Sequence, residues 1–84
     1  PDLTDDFEMV HSTFEPFSKI AEPVTRPTQE VGYLISGKLD LEIAGKVFKI
    51  NAGDSFRIKG EPHRWMNPYD TPAVAVWVIA PPVY

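Results

Sequence analysis

The chain has 84 residues, a formal net charge of -4 and no cysteine. That is apolar material for one core, and the acidic balance excludes a direct grip on nucleic acid, which needs clustered Lys and Arg to displace counterions from phosphates. No apolar stretch reaches the length of a signal-peptide core or a membrane span, so a cytoplasmic protein without membrane contact is expected.

Residues 1–6 are acidic, bounded by proline and without periodicity, and read as a linker or lead-in to one domain over residues 7–84. The chain opens on Pro1, which suggests a piece of a longer polypeptide. Phe7 to Phe14 is rich in β-formers and roughly alternating, a first strand on which His11 could face either way. Pro16, Pro23 and Pro27 exclude a helix from the next stretch and leave a short edge strand around Phe17 to Ala21, then a stiff loop. Gln29 to Ser36 is a strand. After Gly37, Leu39, Leu41 and Ile43 alternate with Lys38, Asp40 and Glu42, the period of a half-buried strand.

Ala44-Gly45-Lys46 is a tight hairpin into Val47 to Ile50, with Gly45 suited to the positive φ of a two-residue turn. Asn51 to Asp54 is a second turn, followed by a strand over Ser55 to Ile58 and a loop over Lys59 to Pro62. His63 to Asn67 is a strand, Pro68 to Pro72 a turn, and Ala73 to Ala80 a continuous apolar run suited to a strand buried on both faces. Leu41 and Val76 are expected in the interior. About seven or eight short strands, with turns at regular spacing, describe an all-β sandwich or barrel. Nine prolines and five glycines agree with it. Without disulfides a domain this small is marginal, and self-association into a homodimer is the expected remedy.

Two glycine-bounded segments carry more than fold. In the first, Glu30 is followed by six residues and Gly37; in the second, Gly53 leads through a loop to His63, then three residues and Asn67. These resemble the two motifs of the cupin superfamily, whose fold is a small β-barrel of the double-stranded β-helix, or jelly-roll, type. The resemblance spans roughly residues 24 to 82 and implies a divalent metal held by three imidazoles and a carboxylate. Glu30 and His63 match two of those ligands. The other two histidines would fall at Val24 and Arg26, or at Pro23 and Thr25 with a longer spacer, and none of these is histidine. Val24 offers no lone pair, and Arg26 is permanently cationic. The Gly53 to His63 interval is also one residue shorter than the usual pattern.

The ending, Asn67 to Tyr84 with its Pro81-Pro82, is similar to the C-terminus of cupin domains that follow a helix-turn-helix in bacterial transcriptional regulators. That resemblance implies a domain that senses a small organic ligand and dimerises, touching DNA only through a missing upstream domain. The alternative is a stand-alone cupin metalloenzyme, an isomerase, lyase or dioxygenase, whose metal sits on Glu30 and His63 with help from His11 or Gln29.

The candidate ligand-binding residues are Arg26, Glu30, His63, Trp65 and Asn67. Glu30 and His63 are either a ligand or weak metal site or a buried hydrogen-bonded pair. Arg26 either pairs with Glu30 or offers a fork to a ligand's carboxylate or phosphate. Trp65 shares strand parity with His63 and Asn67, and either floors a pocket or is ordinary core. Trp77 is expected in core or dimer interface, and Tyr33 outside. No nucleophile elbow, P-loop or dinucleotide fingerprint is present.

Overall fold

The computed structural model describes residues 8–80. The expected lead-in over residues 1–6, the start of the first strand at Phe7, and the ending over residues 81–84 lie outside them. Eight strands run in chain order: β1 (Glu8–Phe14), β2 (Ser18–Lys19), β3 (Gln29–Ser36), β4 (Lys38–Ile43), β5 (Lys46–Asn51), β6 (Ser55–Lys59), β7 (His63–Asn67) and β8 (Ala73–Ala80). They form two four-stranded antiparallel sheets, one in the order β1-β8-β3-β6 and the other β2-β7-β4-β5. This is a jelly-roll barrel, the fold that the resemblance implies, and the proline-bounded β2 is an edge strand as its sequence requires.

Alternation decides what each strand contributes. On β3, Glu30, Gly32 and Leu34 point inward while Val31, Tyr33 and Ile35 are exposed; on β4, Leu39 and Leu41 are buried. Phe56 and Ile58 of β6 and Ala73, Ala75 and Trp77 of β8 complete the inner layer with Phe14 and Ile50. Three edge-to-face contacts knit it together: Phe14–Trp65 at 4.6 Å, Phe14–Trp77 at 6.4 Å and Phe56–Trp77 at 4.9 Å. Such pairs add to the area they bury.

One expectation fails here. Val76 lies on the outer face of β8, between His11 of β1 and Tyr33 of β3, and is only partly buried. The inward positions of β8 are the odd ones, and the strand is not buried on both faces, since Val78 is exposed. An unbroken apolar run carries no alternation from which its inner face can be read.

The turns hold the register. Ile43 pairs with Lys46, so Ala44 and Gly45 form a two-residue turn with both φ values positive, 51° and 84°. That is the hand that fits twisted strands. Gly37 joins the two sheets at φ 81°, where a Cβ would come within 2.4 Å of the Pro72 carbonyl oxygen and 2.8 Å of the Ala73 Cα. Only glycine fits against that backbone.

Candidate functional site

A cavity of about 160 Å³ opens between the two sheets. Leu41, Phe14, Trp65 and Trp77 are among the residues forming its apolar walls, and Glu30, His63, Ser12 and Arg26 provide polar groups. The strand pattern explains each placement. Val10, Ser12 and Phe14 are the inward positions of β1, Glu30 is inward on the central strand β3, and His63 and Trp65 share the inner side of β7.

Glu30 is 5% exposed and His63 7%. Ile58 and Ile79 flank Glu30 on the neighbouring strands. Its Oε2 lies 3.6 Å from His63 Nε2, too long for a hydrogen bond, and among the described residues no group hydrogen-bonds that oxygen. The second ring nitrogen, Nδ1, lies 2.9 Å from the Glu61 backbone oxygen. A carbonyl only accepts, so Nδ1 carries a proton and donates it. The Glu61 side chain is engaged as well: it accepts from the Lys59 amide, and that bond holds its carboxyl below the usual carboxylate range. The loop before β7 is thereby folded back on itself and fixes the ring of His63.

Of the candidate residues, the structure brings Arg26, Glu30, His63 and Trp65 around one cavity. Arg26 is exposed, so it stands at the rim, and no ion pair links it to Glu30 among the described residues. Val24 also lines the cavity. Val24 and Arg26, rather than Pro23 and Thr25, thus occupy the positions beside the carboxylate and imidazole.

Asn67 is placed elsewhere. It is fully buried, but its Nδ2 donates to the carbonyls of Phe14, Glu15 and Thr71 at 3.2, 3.1 and 3.0 Å, and its Oδ1 accepts from the Tyr69 amide. It clamps the end of β1 to the turn after β7 and does not line the cavity. His11 and Gln29 are exposed, on the far face of their strands from Glu30, and cannot supplement it. The sequence reading missed Ser12 and Phe14 as wall residues and placed Trp77 in the core without its cavity face. Arg64 was missed too: its guanidinium bonds Glu42 at 3.1 Å and the Ala21 carbonyl at 2.7 Å, securing the loop that carries Ile20 and Val24 over the cavity.

The donor set does not fit the metal that such a fold commonly holds. Glu30 and His63 supply one carboxylate and one imidazole, Val24 supplies nothing, and Arg26 repels a cation. Among the described residues no group of three or more His, Cys, Asp or Glu is positioned to bind a metal ion. What the arrangement can do is receive a hydrogen-bond donor on an unpartnered, buried carboxylate oxygen beside an aromatic wall.

Comparison with known proteins agrees with this architecture. The Cupin_2 domain of an XRE-family transcriptional regulator from Enterobacter cloacae superimposes with a TM-score of 0.82 at 24% identity, covering 98% of this chain and 88% of that one. An uncharacterised conserved protein with a double-stranded β-helix domain from Klebsiella pneumoniae gives 0.80 at 32% identity, over 90% of this chain and 68% of that one. A sugar phosphate isomerase of the cupin superfamily from Silicibacter pomeroyi gives 0.76 at 22%, over 89% and 50%. No curated protein sequence matches the chain. The profile of the cupin domain matches residues 10–79, so the chain belongs to the cupin domain family.

Proposed function

We propose that this chain is a small-molecule-sensing and dimerisation domain, the regulatory part of a bacterial transcriptional regulator whose DNA-binding domain is not in this chain. One observation carries the reading: an aromatic-walled cavity retains a buried, unpartnered carboxylate, while Val24 and Arg26 stand where metal ligands would be needed. Such a site suits an organic ligand better than an ion. The likeness to the domain from the Enterobacter regulator supports the regulatory assignment. The metalloenzyme reading, to which the likeness to the Silicibacter isomerase points, is weaker because it lacks two metal donors.

Signal transfer needs a dimer whose arrangement the ligand biases by a few kcal/mol. The outer face of the first sheet suits a second copy. Cross-strand register sets Met9, Val78 and Val31 in one row and His11, Val76 and Tyr33 in the next, an apolar surface on which Met9 is 70% and Tyr33 47% exposed. A domain this small and without disulfides gains stability by covering that face.

Sedimentation of the purified chain with and without Val31→Lys tests the dimer. A dimer that becomes a folded monomer supports it; a wild-type monomer at all concentrations contradicts it. For the regulatory role, the complete gene product should carry a helix-turn-helix before residue 1, and a cavity ligand should shift its operator affinity several-fold. An operator affinity unchanged at saturating ligand contradicts sensing.

A further inference from the structure

The polar end of the cavity specifies more than a generic ligand. His63 Nδ1 is committed as a donor to the Glu61 carbonyl, which in the neutral ring leaves Nε2 with a lone pair. That lone pair faces Glu30 Oε2 across 3.6 Å, and Oε2 is buried without a partner. Two acceptors therefore converge on one spot. A carboxylate ligand would add a third acceptor, and a hydroxyl has only one proton to give. A primary ammonium has three donors and a positive charge, so it satisfies both and neutralises Glu30.

The walls agree. Phe14, Trp65 and Trp77 line the same cavity, and aromatic faces attract a cation. The volume of about 160 Å³ is close to the roughly 150 Å³ of a cavity that holds one benzene. At the rim stands Arg26, exposed and cationic, which opposes a purely cationic ligand and favours one whose outer end is anionic.

Resting on the small-molecule reading above, we infer that the ligand is a small amine of about benzene size, its protonated nitrogen held between Glu30 and His63 and an anionic group at its far end facing Arg26. The domain thus recognises a compact zwitterion, inserted amine first.

Trp65 and Trp77 are the chain's two tryptophans, and both line the cavity, so intrinsic fluorescence reports its occupancy. The wild-type chain is titrated with benzylamine, benzyl alcohol, benzoate and 4-(aminomethyl)benzoate. The expected order is 4-(aminomethyl)benzoate tightest, then benzylamine, with benzyl alcohol and benzoate at least tenfold weaker than benzylamine. Glu30→Gln should erase the preference for amine over alcohol, and Arg26→Ala should erase the advantage of 4-(aminomethyl)benzoate over benzylamine.

If benzyl alcohol or benzoate binds as well as benzylamine, or the amine preference survives in Glu30→Gln, the amine assignment is overturned while the cavity stands as a ligand site. If the two amines bind equally to wild type, the anionic half of the assignment fails. Unchanged fluorescence with all four probes overturns the amine assignment and the small-molecule reading together. Should Glu30→Gln fail to fold, the comparison of probes on the wild-type chain decides the matter by itself.

Discussion

Val24 is bridged directly to His63 by two backbone hydrogen bonds, 2.8 Å from the Val24 amide to the His63 carbonyl and 2.9 Å in return. A residue that cannot ligate a metal is thereby fixed beside one that can, and Arg26, two positions on, also reaches the cavity. The backbone for a His-x-His pair is in place; the side chains are not. Val24→His with Arg26→His should therefore bring three imidazoles and the Glu30 carboxylate to one site. The double variant is expected to bind about one equivalent of Zn or Ni by calorimetry where wild type binds weakly or not at all. Equal binding by both would show that these positions do not converge with Glu30 and His63.

Leu41 and Val76 make a matched test of the packing. Leu41 is 1% exposed and Val76 lies on the outer face of β8. Leu41→Ala should cost about 2–5 kcal/mol, a large part of the stability of so small a domain, whereas Val76→Ala should cost roughly 1 kcal/mol or less. Chemical denaturation of both variants checks this. Equal losses would contradict the assignment of faces on β8.

Tyr69 is expected to show in alkali. Its hydroxyl donates to Asp40 Oδ1 at 2.7 Å, and this bond to a carboxylate raises the phenol above its ordinary value of 10.0. Because the folded-state value is the higher one, the bond's contribution is fully present below the unfolded value and is lost as pH rises through the folded one. Tyr69→Phe should cost about 1 kcal/mol at neutral pH, and that difference should vanish in strong alkali. In a phenolate absorbance titration Asp40→Asn should move the latest ionising step downward. An unchanged titration would mean that the bond does not persist in solution.

Part of the fold was legible because period-two alternation names the inner face of β4 and β6 without help from tertiary structure, whereas on β3 the apolar Val31, Tyr33 and Ile35 face outward and Glu30 and Gly32 face in. The hairpin at Ala44-Gly45 followed from local spacing, and the placing of Glu30 with His63 from the resemblance of their two segments to the family's motifs. Three features were not legible, each for a physical reason. The inner face of β8 is hidden in an unbroken apolar run. The cavity roles of Ser12 and Phe14 depend on β1 pairing with β8 in the register Phe14↔Ala73 and Ser12↔Ala75, about sixty residues apart in the chain, a long-range contact that no local pattern encodes. Asn67 has the strand parity of a cavity residue, yet its amide is spent on three carbonyls at the end of β7. Parity gives the side of a sheet and not the depth along the strand.

The central claim is that the barrel is a site for an organic ligand and not for a tightly held metal. Elemental analysis by plasma mass spectrometry on protein purified without a histidine tag or chelator tests it most directly. The account predicts Fe, Mn, Ni, Cu and Zn each far below one equivalent per chain. Near-stoichiometric content of any of them, lost in Glu30→Ala and His63→Ala, would contradict it and move the metalloenzyme reading ahead.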